Sequence, residues 1–243
     1  MRELHDQRAY VTTAGGRPLL EAVDIVMSYR RYCYTDVMAD ALATPSVPSL
    51  DSGARLTRFE FERRYEASPP RLKAELVEGV VYVASPVSLP HGDEHFRLIG
   101  WLSAYTAQHL DVVGSDNATI RLDLDNEPQP DAHLRYRSST RNRLIDKYLE
   151  GPPELIAEIA VTSESIDLHD KLVAYRRNGV QEYIVWRVHD RAIDWLSLEQ
   201  GEYVRLEPDE RGIVHSKVIP GLRLAAHALI GGDMATVLKE QQR

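Results

Sequence analysis

The sequence contains a single cysteine, Cys33, and no long uninterrupted apolar run. One cysteine cannot form an internal disulfide, which is typical of proteins in a reducing compartment. No segment approaches the ~18 apolar residues that a membrane-spanning helix requires, and the N-terminus lacks the basic and apolar regions of a secretory signal. These absences predict a soluble cytoplasmic protein in which Cys33 is a small apolar filler.

The sequence also has fewer basic than acidic residues. It contains 29 lysine and arginine residues and 37 acidic residues, and the formal net charge is −8. Proteins held on nucleic acid mainly by electrostatics are usually basic, so this balance argues against a tight, non-specific DNA binder but not against a local basic groove. With three Trp and three Phe residues, the chain shows no aromatic platform for sugars. A two-carboxylate glycosidase is therefore disfavoured, and so is a serine hydrolase, since no Gly-x-Ser-x-Gly motif occurs.

The 243 residues are enough for one large domain with an extension. A helix is predicted over residues 19–38, and a linker rich in Pro and Ser follows over residues 43–49. We therefore predict a partly helical N-terminal extension over residues 1–50 and a main domain over residues 51–243.

Strand and helix patterns alternate through the main domain. Residues 75–83 are typical of a β-hairpin that turns at Glu78-Gly79. Helices are predicted over residues 91–110 and 167–178. The run over residues 154–161 is almost continuously apolar, as in a strand buried on both faces. The alternation predicts an α/β (α+β) protein with a mixed β-sheet flanked by helices.

Two carboxylates occupy unusual places in this pattern. Glu158 lies inside the apolar run, where a charge is costly unless it is paired, protonated or bound to a cation. Asp131 opens a predicted strand directly after Pro130. If the two strands are neighbours, the carboxylates converge at the end of the sheet, where Mg²⁺ would relieve their repulsion. A structural ion pair for Glu158 and a turn or cap role for Asp131 are the alternatives.

Lys171 is predicted to share the inward face of the helix over residues 167–178. Its ammonium group can reach along the helix toward a buried carboxylate. In hydrolysis such a lysine orients a water molecule or stabilises developing negative charge. The alternative is a surface lysine that pairs with Asp167.

A cluster of bases follows Asp131 and is interrupted by a single acid, Asp146. It consists of Arg135, Arg137, Arg141, Arg143 and Lys147. The cluster predicts a basic loop beside the proposed metal that contacts a phosphate backbone, and Arg176-Arg177 would extend it. A solvated loop is the alternative.

An ordered set of short motifs spans a large part of the main domain. They are Glu75-Leu76-Val77-Glu78-Gly79, Ser85-Pro86 followed by His91, Gln129-Pro130-Asp131, residues 153–160, Asp170-Lys171-Leu172, Tyr175 and residues 179–186. The set resembles the PD-(D/E)XK nuclease superfamily and, more closely, the Uma-type family of "putative restriction endonucleases", also described as a domain of unknown function. The resemblance runs from Leu56 to Leu229 and implies a restriction-endonuclease-like fold.

The resemblance also implies a metal site. It implies that Asp131 and Glu158 bind Mg²⁺ or Mn²⁺, with the carbonyl group of Ile159 as a further ligand. The lysine of the superfamily normally follows the glutamate by two residues, where this chain has Ala160. In the Uma-type pattern the lysine lies on the next helix, and Lys171 matches that position.

Glu75 and His91 match two further characteristic positions of the family. Glu75 would be a third acid near the metal, or else a carboxylate at the edge of the hairpin. His91 would contact the scissile phosphate or act as a base, or else cap or pack against its helix. Glu78 is predicted to be a turn residue, and His95 and His109 are predicted to be packing or surface residues.

The leading hypothesis is a metal-dependent endonuclease that hydrolyses phosphodiester bonds in DNA. The resemblance also implies a homodimer, in which a two-fold pair of sites would meet the two strands of a duplex. The alternative is a catalytically decayed protein of the same fold that binds nucleic acid or a protein partner. The displaced lysine and the net negative charge leave room for this alternative, whereas the intact acidic pair favours the enzyme.

Overall fold

The computed structural model describes residues 47–161 and 166–243. The helix predicted over residues 19–38 and Cys33 lie outside these residues. Residues 48–243 belong to one compact unit. Within the described part of the chain, no helix combines the length and the apolar character needed to cross a membrane.

Helices and strands alternate along the unit. The helices are α1 Arg58–Glu66, α2 Leu89–Thr106, α3 Lys171–Arg177, α4 Ala226–Gly231 and α5 Met234–Gln241, and a π-helical turn, Ile166–Asp170, leads into α3. The strands are β1 Ala74–Val77, β2 Val80–Val83, β3 Val112–Asp116, β4 Ile120–Arg121, β5 Ala132–Tyr136, β6 Arg143–Ile145, β7 Tyr148–Glu150, β8 Leu155–Ala160, β9 Glu182–Arg187, β10 Ala192–Glu199, β11 Glu202–Arg205, β12 Ile213–His215 and β13 Arg223–Ala225.

A six-stranded mixed sheet forms the centre, with the strand order β11-β10-β9-β8-β5-β3. Strands β8 and β9 are parallel, and α3 connects them, whereas the other neighbours are antiparallel. Three small sheets surround it: β1-β2, β4-β7-β6 and β12-β13. The mixed sheet flanked by helices confirms the predicted fold class.

All six residues of β8 are buried, which confirms the strand predicted to be covered on both faces. Because side chains alternate along a strand, Leu155, Ala157 and Ile159 pack on one face against residues of α2. Ile156 and Ala160 pack on the other face, in a core that contains Tyr175 of α3. Glu158 shares this second face.

The hairpin β1-β2 packs against α1, and Leu50 and Phe61 lie in their common core. Glu78 and Gly79 form the turn with φ angles of 50° and 71°. Two consecutive positive φ angles are typical of the tight turns that connect hairpins. The predicted hairpin and the turn position of Glu78 are therefore confirmed.

Other elements differ from the sequence predictions. Strand β4 ends at Arg121, because the amides of Leu122 and Asp123 both donate to the carbonyl group of Asn126 and close a turn. The helix predicted over residues 91–110 ends at Thr106. The predicted basic loop contains the hairpin β6-β7.

Glu127 is a buried acid whose side chain is 3% exposed. It lies beside Glu62 of α1, and the Nε atom of Arg121 is 2.8 Å from Glu62 Oε1 and 3.8 Å from Glu127 Oε2. Burial raises the pKa of Glu127 to about 8, and a hydrogen bond with Glu62 contributes. Glu127 is therefore protonated at neutral pH, next to Glu62.

The Glu62–Glu127 pair should make the protein less stable as the pH rises from 4.5 to about 8. In that window the folded state holds a proton on Glu127 that the unfolded state has released, so alkaline conditions favour unfolding. Glu127→Gln keeps a neutral hydrogen-bonding group that does not titrate. The free energy of unfolding of this variant, relative to that of the wild type, should therefore rise by on the order of 2 kcal/mol between pH ~5 and pH ~9.

Urea unfolding at the two pH values measures this difference. Glu207→Gln replaces an exposed carboxylate and is the matched control. An unchanged difference between Glu127→Gln and the wild type at both pH values would contradict the raised pKa of Glu127.

Candidate active site

Asp131 and Glu158 lie side by side in the structure. Strands β5 and β8 are antiparallel neighbours, and Ala132 pairs with Ala157. Asp131 therefore lies immediately before β5 and next to the C-terminal half of β8. Its amide is 3.4 Å from Glu158 Oε2, and its Oδ2 atom accepts a 2.7 Å hydrogen bond from the amide of Ile159. Both side chains are buried.

Lys171 begins α3 directly after the π-helical turn, and its side chain points into the sheet. Its Nζ atom is 3.0 Å from Glu158 Oε1, 3.0 Å from Glu75 Oε1 and 3.5 Å from Asp167 Oδ1. The lysine side chain is 6% exposed. The sequence offered an inward-facing Lys171 and a Lys171 paired with Asp167 as alternatives. In the structure Lys171 faces inward and also lies close to Asp167.

Two further contacts hold the acids in place. The hydroxyl group of Tyr175, one turn after Lys171, donates a 2.8 Å hydrogen bond to Glu158 Oε1. The amide of Gln129 donates a 3.1 Å hydrogen bond to Glu75 Oε2. Glu75 thus joins strand β1 to the segment that leads to Asp131, and it does not lie free at the edge of the hairpin.

The cluster carries more negative than positive groups. Burial raises the pKa of Glu158 well above its usual range, and Asp167, Asp131 and Glu75 add to this effect against the ammonium of Lys171. Burial acts to lower the pKa of Lys171, but the surrounding carboxylates outweigh it and the pKa lies well above its usual range. The lysine is therefore a permanent cation among carboxylates that repel one another.

His91 lies in the first turn of α2, and its Nε2 atom is 3.3 Å from Asp131 Oδ1. The hydrogen bond with Asp131 raises the pKa of His91. Burial acts to raise the pKa of Asp131, but His91, the amide of Ile159 and Lys171 outweigh it, so the pKa is lowered. Asp131 is therefore held in its ionised form beside an imidazole group.

His95 was assigned to packing or the surface, yet it too reaches Asp131. Its Nε2 atom is 3.1 Å from the carbonyl oxygen of Asp131 and 3.0 Å from Asp116 Oδ1. The only signal in the sequence is the four-residue spacing from His91, which places both rings on one face of a helix. His109, by contrast, follows the end of α2 and contacts the carbonyl group of Tyr105.

The predicted basic loop does not lie beside the acidic pair. Asp131 precedes the first residue of β5, and Arg135 and Arg137 lie about 13 and 20 Å farther along the chain at ~3.3 Å per residue. Arg141 donates to the carbonyl group of Gly179, which precedes β9 at the opposite end of the sheet. The exposed side chain of Arg143 lies 3.6 Å from Glu150. A role of these arginines in binding nucleic acid stays a prediction.

The arginines at the end of α3 form ion pairs. Arg176 pairs with Glu202, and Arg177 lies 2.9 Å from both Glu78 and Asp123. Their charges are compensated by neighbouring acids, so they do not extend a basic patch.

The donor set of the acidic pair fits a hard divalent cation. Glu158 Oε1 accepts from Lys171 and Tyr175, whereas Glu158 Oε2 has a long contact with the amide of Asp131. Asp131 Oδ2 accepts from Ile159, and Oδ1 contacts His91. Among residues 47–161 and 166–243, no group of three His, Cys, Asp or Glu side chains is arranged to hold a metal ion. Mg²⁺ is commonly bound by one or two carboxylates together with water and phosphate oxygens, so two carboxylates suffice.

The backbone at Ile159 contributes a different group from the one predicted. Its amide donates to Asp131 Oδ2. The carbonyl group of Ile159 as a metal ligand stays a prediction.

The mixed sheet with its buried acids and lysine defines a protein of nuclease-like fold. The sequence model of the Uma2 family, described as "Putative restriction endonuclease", matches residues 59–227, which is more than half of the chain. The chain belongs to this family. The match includes Glu75, Asp131, Glu158 and Lys171.

Comparison with solved structures agrees with this assignment. The crystal structure of a "putative nuclease belonging to DUF820" from Anabaena variabilis ATCC 29413 is similar, with a TM-score of 0.55 and 12% sequence identity. The similar region covers 69% of this chain and 97% of that chain, and at this identity it establishes the fold. No curated protein matches the chain.

Removing the charge of Lys171 should destabilise the metal-free protein. Lys171→Met leaves the buried carboxylates without their cation, and we expect a loss of about 3–5 kcal/mol in the free energy of unfolding. Because Glu158→Gln removes one of those carboxylates, the double variant should lose less than the sum of the two single losses, by about 1–3 kcal/mol. Urea unfolding of the four proteins in EDTA measures this coupling.

Lys73→Met replaces an exposed lysine before β1 and is the control. We expect it to change stability by less than about 0.5 kcal/mol. Strictly additive losses for Lys171→Met and Glu158→Gln would show that the ion pair does not couple the two side chains.

Proposed function

We propose that the protein is a metal-dependent endonuclease that hydrolyses phosphodiester bonds in DNA. The observation that carries this proposal is the buried cluster in which Glu75, Glu158 and Asp167 surround Lys171 and Asp131 lies beside Glu158. Membership of a family described as "Putative restriction endonuclease" supports the reaction class.

The charge balance of the cluster favours a bound cation. Four carboxylates share one lysine and one histidine, and the pKa of Asp131 is lowered, so the group stays ionised. A second positive species would reduce the repulsion between Asp131 and Glu158. In this proposal these two side chains hold Mg²⁺ or Mn²⁺.

When bound, such an ion neutralises charge on the scissile phosphate and lowers the pKa of a bound water molecule. Lys171 is held by Glu158 and Glu75, and its ammonium would orient a water molecule or stabilise negative charge that develops on the phosphate. His91 contacts Asp131 Oδ1, and from this position it would contact the phosphate or accept a proton.

The substrate and the assembly follow from the same proposal. The net charge of −8 makes affinity for DNA dependent on local contacts, and Arg135, Arg137, Arg141 and Arg143 are the candidates for phosphate binding. A homodimer would present two sites to the two strands of a duplex.

Incubation of the full chain with supercoiled plasmid and with single-stranded DNA tests the proposal. We expect nicking with Mg²⁺ or Mn²⁺ and none with EDTA. Asp131→Asn and Glu158→Gln should each lower the rate by about 100-fold or more, as the loss of one preorganised electrostatic contact does. Each variant removes a negative charge but keeps the shape of the side chain.

Glu207→Gln removes the same charge from an exposed position and should retain the wild-type rate. Cleavage that survives in both site variants would place the activity elsewhere. If the wild type shows neither cleavage nor binding of Mn²⁺ by calorimetry, the protein is a non-catalytic binding module of the same fold.

A further inference from the structure

His95 contacts two hydrogen-bond acceptors through one ring nitrogen. Its Nε2 atom is 3.1 Å from the carbonyl oxygen of Asp131 and 3.0 Å from Asp116 Oδ1. A carbonyl oxygen and a carboxylate oxygen can only accept. The geometry therefore requires that Nε2 carries the proton and donates.

The contact reaches a part of Asp131 that His91 does not reach. The carbonyl oxygen of Asp131 also accepts a 3.2 Å hydrogen bond from the amide of Asn117, the residue after β3. Asp116, the last residue of β3, pairs with Ala132 in the sheet. His95 thus joins α2, β3 and the start of β5 at one peptide group.

The two histidines of α2 hold Asp131 from different sides. His91 contacts the carboxylate at Oδ1, and His95, one helical turn later, contacts the main-chain carbonyl. The carboxylate of Asp131 can rotate about its side-chain bonds, but the position of the Cα atom that carries the side chain is set by the main chain. A displacement of the main chain would move Oδ1 and Oδ2 relative to Glu158.

We propose that His95 is a positioning residue for Asp131, and that Asp116 keeps its Nε2 atom in the donor state. His95 lies outside the motifs that define the family resemblance, and its role is to fix the main chain and not to touch the substrate. The consequence for metal affinity rests on the proposed function, whereas the hydrogen bond itself does not.

The first test concerns the hydrogen bond in the metal-free protein. Long-range ¹H–¹⁵N correlation spectra of the histidine rings should show a proton on Nε2 of His95. In His95→Ala the backbone amide of Ala132, which follows the contacted carbonyl, should shift more than in His109→Ala. A proton on Nδ1 alone, or equal shifts in the two variants, would overturn the proposal.

The second test measures Mn²⁺ affinity by calorimetry. Loss of an outer-sphere contact typically weakens metal binding by about 10–100-fold, and we expect His95→Ala to fall in this range. His95→Gln keeps an N–H donor of similar reach and should recover most of the affinity. His109→Ala removes a histidine that contacts Tyr105 and should bind as the wild type does.

Thermal unfolding separates positioning from a loss of fold. All three variants should unfold within a few degrees of one another, because each removes only the contacts of one partly exposed histidine side chain. Wild-type affinity in His95→Ala, or equal weakening in His95→Ala and His95→Gln, would overturn the proposal. If the wild-type protein binds no Mn²⁺, the proposed function fails, and the Ala132 shifts alone decide whether His95 positions Asp131.

Discussion

The buried ion pair between Lys171 and Glu158 is the interaction on which the arrangement of the site depends. Removing both charges from water costs several kcal/mol for each ion, and only close, hydrogen-bonded geometry offsets that cost. The contacts to Glu158, Glu75 and Asp167 supply this geometry. The central sheet, the helix α3 and the hairpin β1-β2 must therefore be assembled together before the cluster can exist.

Helix α3 is held at both ends. Lys171 anchors its first residue to β8 and β1, and Arg177 near its last turn forms ion pairs with Glu78 and Asp123. Glu78 lies in the turn of the same hairpin that carries Glu75. The hairpin and the helix thus have two points of contact, which restricts sliding of the lysine relative to its carboxylates.

Hydrogen bonding within the site is unequal between oxygens of the same carboxylate. Glu158 Oε1 accepts from Lys171 and Tyr175, whereas Oε2 has a long contact with the amide of Asp131. Asp131 Oδ2 accepts from Ile159, and Oδ1 faces His91. These contacts orient both carboxylates and leave Glu158 Oε2 with fewer donors than Oε1, so that Oε2 is the Glu158 oxygen that a cation shared with Asp131 would use.

The sequence by itself determined the central strand and the identity of its polar residues. A single carboxylate in the apolar run of β8 and a lysine at inward helical spacing were visible without a structure, because burial and periodicity are local properties. Tertiary structure decided what these residues contact. The direction of β5 carries Arg135 and Arg137 away from Asp131, the packing of α2 brings His95 to its carbonyl group, and α1 buries Glu127. These outcomes depend on the strand register and on which elements become neighbours. Both are determined by contacts between residues that are far apart in the sequence.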